Sequence, residues 1–297
     1  MSVAAPIDSD LTARRDLGVA WMNRGHALLM QGNATGDDAA LFAYEQAIAL
    51  LRALPVNENP AWANSLGAAW MNRGQLLHRV HGLAGADDAL ASFDSALAVL
   101  RPLASGENPW ARRNLAGTRL NRANLLLDLS RAHEAAAEAR EALALCSPAE
   151  RTDALDADLT LKCRRALGDA LGQLLIAPGA DQEALATEAS DVVDDALAVI
   201  RHWLARGEAV FSSLAVRFFR YGTQLYRLHQ PHFLAEFIQE NLALSEAELR
   251  PIALETIDAA LADRPRESVY LTIGDPASEK RLRIWRELAA LRACLVA

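Results

Sequence analysis

Leu17-Gly18-Val19-Ala20-Trp21-Met22-Asn23-Arg24-Gly25-His26-Ala27-Leu28-Leu29 is written three times in this chain. It returns as Leu66-Gly67-Ala68-Ala69-Trp70-Met71-Asn72-Arg73-Gly74-Gln75-Leu76-Leu77-His78. It returns again, worn, as Leu115-Ala116-Gly117-Thr118-Arg119-Leu120-Asn121-Arg122-Ala123-Asn124-Leu125-Leu126-Leu127. Trp21 and Trp70 stand 49 positions apart, as do Asn72 and Asn121. A fixed period of this size predicts a stacked repeat in which each unit is one supersecondary element, burying its apolar face only against a neighbour.

Between the copies the pattern is helical. Ser9 or Asp10 caps a first helix from Leu11 to Met30, whose Leu17, Trp21 and Leu28 fall on one stripe. Gln31 to Gly36 reads as a turn. Asp37 or Asp38 then caps a partner helix from Ala39 to Leu54. Asn59-Pro60 opens the second unit, with Pro inside the first turn where its missing N–H costs nothing. That unit runs from Pro60 to Val80 and, with Asp87 as cap, from Asp88 to Leu103. The third runs from Pro109 to Asp128 and from Arg131 to Leu145.

These helix pairs resemble tetratricopeptide repeats. The signature of that family is Trp, Leu-Gly and Tyr in one helix, then Ala and Phe in its partner, over about 34 residues. Here Trp21, Gly25 and Leu28 are followed by Ala40, Tyr44 and Ala47, and Trp70, Gly74 and Leu77 by Ala89, Phe93 and Ala96. The third unit keeps Ala123, Leu126, Ala135 and Ala142. Two departures stand out. The period is longer, and arginine (Arg24, Arg73, Arg122) replaces the leucine before the glycine. The resemblance implies an all-α superhelix of antiparallel helix pairs with three clear repeats over 1–148. Degenerate pairs and a capping helix follow over 149–297, in one continuous array. It also implies that the first helices line a groove that holds extended peptides. Val19, Met22, Asn23, His26 and Met30 would face it in unit one. Ala68, Met71, Asn72, Gln75 and Arg79 follow in unit two, then Gly117, Leu120, Asn121, Asn124 and Asp128 in unit three. Val216, Phe219, Arg220, Thr223 and Tyr226 hold the matching places in a fifth pair.

Asn23, Asn72 and Asn121 then form a column. An asparagine side chain offers two donors and an acceptor, so it suits a peptide backbone of any sequence. The same residues could instead bond across adjacent helices within the scaffold. The arginines carry a parallel choice. A buried guanidinium needs a partner, and Glu45, Asp94, Glu138 or Glu141 could form an internal ladder with them. Alternatively, Arg24, Arg73, Arg122 and Arg220 could reach an anionic ligand, since arginine forks onto carboxylate and phosphate.

Composition narrows the rest. The chain has 297 residues, is 52% hydrophobic and carries a formal charge of −8. Its only lysines are Lys162 and Lys280. That balance disfavours nucleic acid, which demands clustered cations. No apolar run reaches membrane-spanning length. Cys146, Cys163 and Cys294 are odd in number and lack metal-site spacing, so they read as free thiols in a reducing compartment. The first ten residues have no basic and apolar leader, and the expected address is the cytoplasm. His78 with His81, and His229 with His232, lack acidic or cysteine partners at a fixed offset, so no metal or cofactor is expected.

Beyond residue 150, helices are expected at Thr152–Leu175, Gln182–Ala205, Gly207–His229, Pro231–Leu244 and, capped by Ser245, to Ala262. Glu267 to Gly274 reads as loop or one edge strand, and Pro276 opens a last helix. Trp62 and Trp110 read as packing between repeats. Phe211, Phe218, Phe219, Tyr221 and Tyr226 read as core, or as the wall of an apolar pocket. The sequence therefore points to a non-catalytic scaffold for a protein or peptide, able to self-associate. The alternative is a small-molecule sensor or enzyme with a pocket in the C-terminal half, near Arg217, Arg220, Tyr221, Tyr226 and His229.

Overall fold

The computed structural model describes residues 9–30, 34–104, 108–146, 150–177, 181–263 and 276–296. Among them there are helices and turns and no strand. The edge strand considered for Glu267 to Gly274 lies outside the described residues. The chain divides into two compact units, Met1–Ala166 and Leu167–Ala297.

The first unit is built from α1 (Ser9–Leu29), α2 (Ala34–Arg52), α3 (Pro60–His81), α4 (Ala86–Leu100), α5 (Pro109–Asp128), α6 (Ala132–Cys146) and the start of α7 (Ala154–Ile176). Successive helices from α1 to α6 pack in chain order, with α1/α2, α3/α4 and α5/α6 as the tightest pairs, and α3 also touches α5. Each pair is antiparallel. In the first, Gly18 lies against Leu51 and Gly25 against Tyr44; in the second, Gly67 lies against Leu100 and Gly74 against Phe93. Position rises on one helix as it falls on the other. A Cβ on Gly74 would stand 2.6 Å from Phe93 Cε1, so only glycine admits the ring. The third pair solves the same contact differently. Ala123 replaces the glycine and, by register, Ala139 replaces the ring, both fully buried.

Local chemistry fixes the helix starts. Asn59 Oδ1 accepts from the N–H of Ala61 at 3.0 Å and of Trp62 at 3.4 Å. Asn108 does the same for Trp110 and Ala111, each cap preceding a proline at the first helical position. Two other caps differ from expectation. Helix α2 begins at Ala34, which puts Asp37 inside its first turn, and α4 begins at Ala86, which does the same for Asp87. Acids there favour the helix through its dipole rather than by capping.

Trp62 is core, packed with Ile48, Leu51 and Leu66, but Trp110 is 60% exposed. The two are 48 positions apart rather than 49, and one residue is about 100° of helix. Ala111 takes the buried place instead.

The second unit holds the end of α7 with α8 (Gln182–Leu204), α9 (Ser212–His229), α10 (Leu234–Asn241), α11 (Glu246–Ala262) and α12 (Pro276–Val296). Helix α9 is its hub, packing on α8, α10 and α11, while α12 closes on α10 and α11. Single-turn 3-10 segments at Ala209–Phe211, Pro231–Phe233 and Leu242–Leu244 shorten the helices expected there. Ser245 makes no capping bond; its hydroxyl donates to Glu248 at 2.8 Å. No helix among the described residues is long and apolar enough to cross a membrane.

Candidate functional site

The first helices of pairs two and three lie side by side and run the same way. Near their starts Asn114 Nδ2 donates to Asn64 Oδ1 at 3.0 Å. Near their ends His78 Nε2 and Asp128 Oδ2 are 2.7 Å apart. Between these ties, Gly117 faces Met71, whose Sδ would lie 3.4 Å from an added Cβ. Asn72 and Asn121 therefore sit at matching heights on neighbouring helices, with Gln75 and Asn124 beside them. Asn72, Asn121 and Asn124 are half-buried, and Asn23, His26 and Gln75 are exposed.

Among the described residues, no hydrogen bond reaches the side chain of Asn23, Asn72, Asn121 or Asn124. The inter-helix bond considered for the column is made instead by Asn64 and Asn114, a turn or more away. Of the other positions expected to face a groove, Leu120 is buried, Met30 is 77% exposed and Asp128 is tied to His78. In the C-terminal half the expectation fails. Phe219, Thr223 and Tyr226 are buried, because α8, α10 and α11 cover that side of α9. Only Arg220 remains exposed, without a hydrogen-bond partner among the described residues.

The arginines form rungs between second helices. Arg73 Nη1 donates to Ser92 Oγ of its own pair at 2.7 Å, and Nη2 lies 3.4 Å from Glu45 of the pair before. Arg122 Nη1 donates to Glu138 of its own pair at 2.5 Å, and Nε lies 3.3 Å from Asp94 of the pair before. Glu45 and Asp94 are themselves 49 positions apart, so the rung repeats with the sequence. Arg24 has no acidic partner among the described residues and lies over the Trp21 ring, 4.9 Å from its centroid.

Arg119 occupies the place of Trp21 and Trp70 and was not singled out in the sequence. It is 6% exposed, donates to Glu138 Oε2 at 2.7 Å and pairs with Glu141. Glu138 thus holds two guanidiniums. The signal was legible only as a pair of changes. Tryptophan becomes arginine on one helix where, in register, Ser92 becomes Glu138 on the other. The charges of Arg73, Arg119 and Arg122 are matched inside the unit, which leaves them little to offer a free anion, whereas Arg24 is exposed and has no acidic partner among the described residues.

The second unit carries a cleft of about 430 Å³ between α8, α9 and α10. Phe233, Phe237 and Tyr226 give it an aromatic side, and Asp191, Asp194, Glu236 and Glu240 an acidic one. Tyr226 Oη donates to Asp194 Oδ2 at 2.7 Å. Burial pushes the Asp194 carboxyl up, against the Tyr226 hydrogen bond, and Asp191, Glu240 and Asp195 push it further. Burial and the facing Asp194 likewise push the Tyr226 hydroxyl up. Of the residues expected around a pocket here, only Tyr226 lines the cleft. Tyr221 turns away and donates to Gly168 O at 2.8 Å.

No family model matches the chain. No curated protein matches it either. Among solved structures it is similar to Nro1, a hypoxic regulator of sterol synthesis described as a nuclear import adaptor, at 10% identity and a TM-score of 0.31. That match covers 95% of this chain and 94% of the other. It is also similar to the designed helical repeat protein DHR64, at 17% identity and a TM-score of 0.23, over 96% and 97% of the two chains. At these scores neither likeness bears on what this chain does.

Proposed function

We propose that the first-helix face of the N-terminal unit binds an extended peptide segment of a partner protein in the cytoplasm. In this reading the chain is a scaffold or adaptor rather than a catalyst. What supports the reading is Asn72, Asn121 and Asn124 on the neighbouring helices α3 and α5, with Asn23 one repeat earlier in the sequence. These are half-buried or exposed amides, set at a repeat interval and free of internal hydrogen bonds. Such groups can pair alternately with the N–H and C=O of a main chain, and His26 and Gln75 extend the polar row. The helix pairs are read as an elongated form of the tetratricopeptide hairpin, an assignment supported by the closures of Gly25 on Tyr44 and Gly74 on Phe93. The test is selection of peptides from a random displayed library on the whole chain, followed by binding to the Asn72→Ala/Asn121→Ala variant. Selected peptides bind the variant about thirtyfold more weakly, at roughly 1 kcal/mol for each of the two bonds removed. Equal binding removes the proposal.

A second reading is favoured by the cleft between α8, α9 and α10. Its aromatic side and four carboxylates suit a small organic cation. Thermal-shift titration with agmatine or spermidine tests it. A rise in melting temperature that Asp194→Asn abolishes supports this reading, and no rise up to millimolar amine ends it.

A further inference from the structure

The repeats show what covers one face of a first helix. Leu66 of α3 and Leu115 of α5 are each 4% exposed. Leu66 packs with Ile48 and Leu51 of α2, and Leu115 with Leu97 and Leu100 of α4. Two turns further along, Arg73 meets Glu45 of α2 and Arg122 meets Asp94 of α4. The covering helix thus carries one pattern twice: an acid, an aliphatic residue three positions on, and a leucine three beyond that. It reads Glu45, Ile48, Leu51 in α2 and Asp94, Leu97, Leu100 in α4.

Helix α1 presents the same face, and among the described residues no helix covers it. Leu17 stands 49 positions before Leu66 and is 51% exposed. Arg24 stands 49 positions before Arg73, exposed and without an acid among the described residues. The two positions are seven apart, so they share one side of the helix. The Arg24 guanidinium lies over the Trp21 ring as that of Arg73 lies over Trp70, at 4.9 and 5.9 Å from the centroids. The cation is therefore stacked alike with and without its carboxylate. The hydroxyl that Arg73 finds on Ser92 is missing too, since the matching residue of α2 is Ala43. Phe42, 54% exposed, meets Trp21 edge-on and widens the apolar area. Exposed aliphatic, aromatic and guanidinium groups side by side have the composition of an interface core.

We propose that this face of α1 docks an amphipathic helix of a partner protein, laid against α1 as α2 is laid against α3. The partner's acid pairs with Arg24, and its aliphatic residue and leucine cover Leu17. It runs antiparallel to α1, because in α2 the earlier Glu45 meets the later Arg73, and the later Ile48 the earlier Leu66. The partner is defined by that spacing of acid and apolar residues. Ile48, Leu51, Leu97 and Leu100 are buried, so a second copy of this chain has neither of its two such faces to offer. The asparagine amides take no part, and neither proposal depends on the other.

The test uses the full chain and a fluorescein-labelled peptide copying α2, Ala34–Arg52, followed by anisotropy. The peptide binds saturably. Arg24→Glu and Leu17→Asp, both at exposed positions, each weaken it about tenfold. A peptide with Glu45→Arg binds wild type poorly and recovers on Arg24→Glu. No saturable binding, or equal binding to wild type and Arg24→Glu, overturns the proposal. Exchange of the peptide for the chain's own α2 would give that equality, since the acid of α2 meets Arg73 and not Arg24. Sedimentation of the chain alone covers the other occupant. A dimer that Arg24→Glu dissociates would assign the face to a second copy and overturn the partner helix.

Discussion

Glu138 is the residue on which the third pair turns. It is 13% exposed in its side chain and faces both Arg119 and Arg122. Removing its charge leaves guanidiniums in a poorly solvated place, which costs about 3 kcal/mol. Urea unfolding of Glu138→Gln should show that loss. Combining Glu138→Ser with Arg119→Trp rebuilds the arrangement of the second pair and should recover more than half of it, whereas additive losses would contradict the coupling. The identities of the arginine partners were legible at this scale, since Glu45, Asp94, Glu138 and Glu141 stand on the partner helices. Which acid met which arginine was not, because that depends on the length of the inner turn. A second residue-scale test lies in the other unit. Burial pushes the Tyr221 hydroxyl up to about 12, from an ordinary 10.0, with Asp169 adding to the rise. The folded state therefore keeps a proton that the unfolded chain gives up. The stabilisation is complete below pH 10 and is lost as pH climbs from 10 towards 12, at about 3 kcal/mol at most. Alkaline unfolding of Tyr221→Phe should lack this slope.

At the scale of the element, two glycines on first helices look alike in sequence and differ in structure. Gly74→Ala drives a methyl group into Phe93 and stands 3.1 Å from Ala89 O, so it should cost 1–3 kcal/mol, roughly the price of overpacking. Gly117→Ala meets only Met71 Sδ at 3.4 Å and gains helix propensity, so it should be neutral or stabilising by up to about 1 kcal/mol. Thermal melts of the two variants separate these outcomes. Trp62 and Trp110 teach the same lesson. Both open a helix behind an Asn-Pro cap, and a single missing residue in the spacing turns the second outward. The helices themselves were readable because caps, prolines and apolar stripes agree. The starts of α2 and α4 were misread because an aspartate in a first turn resembles one at a cap.

For the whole chain, the repeat is what the sequence conveys and the site is what it conveys only in part. The periodicity of 49 announces stacked pairs, and the unit spanning Met1–Ala166 holds them. Past residue 150 the periodicity fades, so extending the groove to Val216, Phe219, Thr223 and Tyr226 had no packing basis. Helix α9 is instead a covered hub, and the cleft beside it gathers acids from α8 and α10 that lie more than 40 positions apart in sequence. The 49-residue spacing of the asparagines is legible in the sequence, whereas whether an amide is bonded to the scaffold or left open depends on packing that spacing does not encode. The most direct measurement of their role takes a peptide selected on the whole chain and a copy methylated at successive backbone nitrogens. Both are titrated into wild type and into Asn72→Ala/Asn121→Ala. If the amides hold the main chain, methylation weakens wild-type binding about tenfold and barely changes binding to the variant. An equal loss in both proteins would contradict the account.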